Sequence, residues 1–265
     1  MSGRCFFFVY FRILVIIPKI KEGMMNKKLV LTLLALVLGA SAVFGQTEKR
    51  PRPFELGIFA SPSLNWMRST TDGYNNKGLS FCGSYGLNMN INLFQASSNY
   101  YFLTGLNIRH LRGKLTYSAF DYNKDSVNLF PFKSKYTMTY LSIPTALKLQ
   151  TNPFNDRYII YSVFGLDNSI CVSSNRKDIV KDVTYNPKNN QKNTAMFREA
   201  LIVSIGMEYV LHDNTRLTAG LMLNNGFTNL FNKEFYDMNT FKNTGKKERV
   251  NIQNRTLELQ LGLIF

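Results

Sequence analysis

The last eleven residues, Arg255 to Phe265, read R-T-L-E-L-Q-L-G-L-I-F. Leu257, Leu259, Leu261 and Leu263 lead to Phe265, with Thr256, Glu258, Gln260 and Gly262 between them. Successive side chains of an extended chain point to opposite faces, so a period of two over a whole segment sets an apolar phase on one side and a polar one on the other. That is the pattern of a strand in the wall of a transmembrane β-barrel, with lipid outside and a polar lumen inside.

The same reading applied upstream predicts eight strands. They run over Phe54–Met67, Leu79–Leu93, Tyr100–Arg112, Tyr136–Gln150, Arg157–Ile170, Met196–Val210, Arg216–Thr228 and Val250–Phe265. The second alternates almost without error, Phe81, Tyr85, Leu87, Met89, Ile91 and Leu93 against Ser80, Ser84, Asn88, Asn90 and Asn92. In the fourth, Pro144 forfeits a ladder hydrogen bond and predicts a bulge or a local break in pairing. The fifth is apolar or aromatic on both faces from Tyr158 to Phe164, and its inside and outside stay unassigned. Each segment has at least the roughly 9 to 11 residues that a tilted strand needs to cross a bilayer.

Connections alternate in length. About ten polar residues follow the first strand, and long stretches rich in Asn, Lys and Asp, Gly113–Lys135, Cys171–Ala195 and Asn229–Arg249, follow the third, fifth and seventh. The turns between are brief, Gln95–Asn99, Thr151–Asp156 and His212–Thr215. Short periplasmic turns and long outer loops on an even-stranded barrel give this rhythm when both termini are periplasmic. A soluble β-sandwich has no reason to segregate loop lengths this way. Strand eight is expected to pair back to strand one, because hydrocarbon leaves no partner for an open edge.

The beginning of the chain reads as a leader. Residues 25–45 carry Lys27 and Lys28, an apolar run from Leu29 to Leu38, and small residues before a cut expected at Gly45/Gln46. The run is too short for a comfortable spanning helix, which sets a secretory signal peptide above a retained anchor. Residues 1–24 form an upstream extension, with the Met24-Met25 pair as the expected true start, and 46–265 form the barrel domain. The six basic residues of the leader region, set against Glu22, remove five of the formal +15 charges and leave +10 on the mature chain. Its lysines are scattered through loops, and an anionic surface of lipid headgroups or glycans serves them as well as nucleic acid would. We expect no nucleic-acid partner. Cys82 and Cys171 remain after processing, enough for one bridge but not for a disulfide framework. Cys82 falls on a polar-facing position and Cys171 at the mouth of the third long loop.

Fourteen tyrosines and twenty-one phenylalanines suit interfacial aromatic girdles, with Phe54, Trp66, Tyr100, Tyr101, Tyr136, Tyr158, Phe197 and Tyr209 as candidates near strand ends. Side chains largely fill the interior of an eight-stranded barrel. Lumen candidates are Asn88, Asn90, Asn107, Arg109, Lys148, Glu208, Glu258 and Gln260, with Glu199 if the register turns there. Buried charges should be paired, so Glu208 and Glu258 are expected to meet Arg109 or Lys148 as structural glue. The opposing reading of the same charges is a narrow ion pore.

Motifs for chemistry are absent. No G-x-G-x-x-G opens a helix, no phosphate loop or H-E-x-x-H occurs, and His110 and His212 stand apart. Ser61, Ser63, Ser142 and Ser204 lie on polar-facing positions or beside turns, with no G-x-S-x-G among them. We therefore expect no catalytic residues, cofactor or metal, and no peptidoglycan-binding module after Phe265.

One segment carries a family likeness. Tyr140, Leu141, Ile143, Pro144 and Lys148, in Y-L-S-I-P-T-A-L-K, match a Tyr-Leu-x-Ile-Pro-x-x-x-Lys pattern, and the chain from about Pro53 to Phe265 resembles the PorT-like outer membrane β-barrels of Bacteroidota. Ser142 stands where that family often has an acid. The resemblance implies an eight-stranded antiparallel transmembrane β-barrel, an OmpA/OmpX-like up-and-down meander in the cell outer membrane. Its last strand, Leu257, Leu259, Leu261, Leu263 and Phe265, would be the signal read by the barrel-assembly machinery. The founding member is associated with type IX secretion, which makes secretion-system or envelope components expected partners besides outer membrane lipid. Three readings stay open: a non-enzymatic barrel whose outer loops are a binding or assembly surface, a small passive channel, and a generic structural or adhesin-like barrel.

The facing is testable. Leu261→Arg, on the lipid side, should cost about 2–4 kcal/mol near mid-membrane, and a polar replacement at Thr218, on the lumen side, should be milder. Urea unfolding in lipid vesicles separates the two, and equal losses would show the assigned faces to be wrong.

Overall fold

The computed structural model describes residues 52–76, 78–94, 97–120, 129–180, 183–185, 193–212, 215–232 and 249–265. The chain divides into two units, Met1–Glu48 and Lys49–Phe265, and all described residues belong to the second. The leader reading of residues 1–45 lies outside the described residues, as do 121–128, 186–192 and 233–248 within the expected outer loops.

Among the described residues ten strands follow in chain order: β1 (Phe54–Ser69), β2 (Asn75–Asn76), β3 (Ser80–Phe94), β4 (Ser97–Phe120), β5 (Leu129–Gln150), β6 (Tyr158–Val180), β7 (Val183–Tyr185), β8 (Phe197–His212), β9 (Thr215–Gly226) and β10 (Ile252–Ile264). Eight make the wall, each antiparallel to its neighbours along the chain. The circle closes where β1 pairs with β10, from Gly57↔Ile264 to Ser69↔Ile252. No wall strand is left as an edge, which is what hydrocarbon demands of a spanning sheet. The short β2 and β7 extend β4 and β6 at the loop end.

Facing follows the alternation. In β1, Glu55, Gly57, Phe59, Ser61, Ser63, Asn65 and Met67 are buried, while Phe54, Ile58, Leu64 and their outward neighbours are exposed or half-exposed. Leu257, Leu259 and Leu261 are 42–46% exposed and stand opposite Leu223, Leu221 and Ala219 of β9, where Leu217, Leu221 and Leu223 are exposed too. On an isolated soluble protein so continuous an apolar band would be an anomaly; here it is the lipid-facing surface.

Two prolines interrupt the ladder. Between Leu103↔Ala146 and Asn107↔Ser142 no rungs join β4 to β5, and Pro144 sits in that gap. The register resumes unshifted, so Pro144 causes a break in pairing rather than a bulge. Pro62 occupies a similar gap between Ala60↔Leu261 and Ser63↔Glu258.

Strands β4, β5 and β6 are 24, 22 and 23 residues long, well beyond their sequence-derived limits. The roots of the expected loops Gly113–Lys135 and Cys171–Ala195 are wall: rungs continue from Gly113↔Tyr136 to Phe120↔Leu129 and from Thr139↔Ser173 to Lys133↔Ile179. In this upper wall the pattern inverts, with Leu111, Leu115, Tyr117, Tyr136 and Met138 buried inside and Arg112, Lys114, Lys133 and Lys135 outside. Inversion marks where the outer environment changes from lipid to water. Cys171 consequently lies within β6, buried and facing the lumen, rather than at a loop mouth; it and Cys82 are free thiols. Tyr101 and Tyr136, each 1% exposed, fill the interior instead of joining a girdle, and Glu199 faces outward.

A bulge in β6 preserves facing along its length. Tyr140 pairs with Cys171 and Thr139 with Ser173, leaving Val172 as the extra residue; below it odd-numbered residues face in, above it Ser174, Arg176 and Asp178 do. Deleting Val172 should regularise the ladder and leave folding intact, whereas deleting Asn168 should turn Asp167 or its neighbours to lipid and abolish folding. Heat-modifiable electrophoretic mobility of the two variants checks this.

Candidate functional site: the filled lumen

Inward positions stack into four layers from the turn end to the loop end. The first is polar and ionic. Lys148 of β5 pairs with Glu208 of β8, whose other oxygen forms an ion pair with Arg216 Nη1 of β9 at 2.8 Å. Arg216 also pairs with Glu55 of β1, and Glu55 accepts hydrogen bonds from Tyr101 at 3.2 Å and Asn90 at 3.3 Å. Lys148 Nζ sits 5.2 Å and 5.8 Å from the ring centres of Tyr161 and Tyr101, within cation–π range. Tyr161 can reach across to β8 and β9 because Gly206 has no Cβ; one there would lie 2.5 Å from the tyrosine ring.

Above it lies an apolar layer of Ala146, Val163, Ile202 and Met222, with Leu103 against it. A second ionic set follows. Asp167 of β6 forms ion pairs with Arg109, its Nε at 3.1 Å, and with Arg198, its Nη1 at 3.4 Å, and Arg109 also pairs with Glu258 of β10. Ser142 and Asn224 donate to Asp167, the latter at 2.7 Å; Ser84 donates to Glu258 at 2.9 Å; Arg198 donates to Asn254 at 2.6 Å. Last comes an outer plug, in which Leu230 and Phe231, arriving from the β9–β10 connection, pack inside against Met67, Leu111, Tyr136 and Ile252.

Each ionic layer holds two cations and two carboxylates, so each is neutral, and all eight side chains are buried. Neutral, hydrogen-bonded sets meet the desolvation cost of charges taken out of water, which isolated charges do not. Cavities of 40 and 20 Å³ lie beside the two layers. Each has room for a water or two, and the two meet at Asn88, Leu103, Val163 and Gln260, which line both.

Of the charges named from sequence, the structure places Arg109, Lys148, Glu208 and Glu258 inside, where Arg109 meets Glu258 and Lys148 meets Glu208, and Glu199 outside. Tyr140, Pro144 and Lys148 of the β5 segment face inward, Tyr140 beneath Arg198 at 5.9 Å, while Ile143 faces lipid and Leu141 is half-exposed. Sequence reading missed Glu55, Asp167, Arg198 and Arg216. Among the described residues no group of three or more His, Cys, Asp or Glu could hold a metal ion, and no helix is long and apolar enough to cross a membrane, which says nothing of strands.

A closed antiparallel barrel of eight strands, lipid-facing outside and ionic within, defines an integral outer membrane protein with many passes. The chain belongs to the family described as outer membrane protein beta-barrel domain, whose model matches residues 44–232, a stretch reaching from before β1 to past β9. No curated protein matches the chain. Among solved structures it is similar to Ail, the attachment invasion locus protein of Yersinia pestis (13% identity, 80% of this chain and 97% of that one, TM-score 0.34). It is also similar to OprG of Pseudomonas aeruginosa (8%, 80% and 95%, 0.40) and to the outer membrane protease OmpT of Escherichia coli (13%, 83% and 99%, 0.36).

Removing Asp167 by Asp167→Ala strands Arg109 and Arg198 with Glu258 as their remaining carboxylate, and should cost about 3–5 kcal/mol. The same change at Asp178, whose partner Arg176 lies nearer the outer rim, should cost clearly less. Urea titration of both variants in vesicles gives the comparison.

Proposed function

We propose that this chain is a non-enzymatic, non-conducting outer membrane barrel that serves as a structural and binding platform at the cell surface. The observation carrying this is the filled lumen: two neutral ionic layers, an apolar layer between them and the Leu230–Phe231 plug above. A passive channel needs a continuous wet path, and the same Arg109, Lys148, Glu208 and Glu258 that would line it are engaged with one another. The long β4–β6 wall raises its connections well above the membrane, which suits contact with something outside it.

A narrower reading rests on the β5 segment. Tyr140, Leu141, Ile143, Pro144 and Lys148 support a place among PorT-like barrels, and with it contact with secretion-system or envelope components. In the same proposal residues 25–45 are the cleaved leader, 1–24 an upstream extension and 46–265 the mature barrel, whose final strand through Phe265 is handed to the barrel-assembly machinery.

Planar-bilayer recording of the purified barrel tests the first reading. Negligible single-channel current is expected from the wild type, and it should stay negligible when Leu230 and Phe231 are both replaced by Gly, because the ionic and apolar layers beneath the plug are unchanged. Steady current through the wild type would transfer the assignment to a channel.

A further inference from the structure

The outward face of the upper wall carries a row of lysines that neither the lumen nor the proposed platform role uses. Lys114 of β4 is directly opposite Lys135 of β5, and Lys135 is directly opposite Lys177 of β6. Lys133 and Arg112 flank the row on the same face, and all five side chains are exposed. Among the described residues none of them is paired with a carboxylate. Asp178, the one acid on the described upper part of these three strands, points inward, bonded to Arg176 and Ser134.

Such a row works against the fold. Side chains directly opposite on antiparallel strands have Cβ atoms about 4.5–5.5 Å apart, and like charges there are destabilising. That spacing is inside the roughly 8 Å Debye length of physiological salt, so solvent ions screen the repulsion only in part. A multivalent anion lying along the row would remove it.

Position selects the anion. Leu141 and Ile108, near the top of the apolar belt, are six residues below Lys135 and Lys114 on the same outward faces. Six residues at about 3.3 Å each, on strands tilted near 45°, lift the lysines about 14 Å above them, with Arg112 lower. This is where the headgroups of lipids packed on the belt stand, and the row is continuous with the surface those lipids already touch. From this geometry we propose that Lys114, Lys135 and Lys177, with Arg112 and Lys133 beside them, form a binding site for the phosphates of a phosphorylated outer-leaflet glycolipid. Lysine meets phosphate as a strong point-charge donor, and the barrel gains a fixed annular lipid on its β4–β6 side.

The test uses the folded mature chain in phosphatidylcholine nanodiscs containing either bis-phosphorylated lipid A or the same lipid without its phosphates, with bound lipid counted by native mass spectrometry. Wild type should retain the phosphorylated form preferentially. Lys114→Gln, Lys135→Gln and Lys177→Gln together should erase the preference, at roughly fivefold per lysine, and the corresponding three Lys→Arg changes should keep it. Heat-modifiable mobility reports whether the variants are folded. Should the triple Gln variant not fold, Lys135→Gln alone and a salt titration of the wild type carry the test, with a preference unchanged by both overturning the proposal. Equal retention of the two lipids by wild type overturns it, as does a folded triple Gln variant that keeps the preference. Binding of soluble heparin with no preference for phosphorylated lipid A overturns it too, and reassigns the row to a soluble polyanion.

Discussion

Pairing between β1 and β10 is the contact on which everything else depends. In hydrocarbon each unpaired backbone N–H or C=O costs several kcal/mol, so a sheet crossing a membrane either closes or does not exist. Once it closes, every side chain is committed to lipid or lumen by its parity. The leucines of β10, the polar inward row of β3 and the burial of Lys148 and Glu208 are consequences of one closure.

Eight strands enclose a space too narrow for bulk water and too wide to be left empty. This chain fills it with charge that sums to zero at each level. Pairs such as Arg109 with Glu258 join strands that are far apart in sequence, and a neutral set forms in one register alone, because a slip of one residue would turn its members toward lipid. The ionic layers therefore act on specificity of closure as much as on stability, and leave no mobile charge to conduct.

How much of this could be read from the sequence depended on contrast between faces. Strands β3, β9 and β10 have polar inward rows against apolar outward ones, and their facing was plain. In β6 the inward Tyr161 and Val163 belong to the ionic layer's aromatic lining and to the apolar layer, so both faces were apolar and Asp167 was hidden among them. Glu55, Arg198 and Arg216 were legible in principle: each stands one or three residues from an outward apolar residue, Leu56, Leu201 and Leu217, so parity alone sends it inward. The upper wall resembles loop in the sequence because its polarity inverts above the membrane, where Lys and Thr on the outside and Leu and Tyr on the inside follow the rule of a water-soluble sheet.

The native thiols offer the most direct test of a sealed interior. Cys82 and Cys171 both face the lumen from its outer half and are 7% and 9% exposed. Folded mature protein in outer membranes, treated with a small water-soluble methanethiosulfonate, should remain unmodified at both until it is unfolded in urea, after which both should react. Rapid modification of either cysteine in the folded barrel would mean that water runs where the layers are, and would contradict the account of a filled lumen.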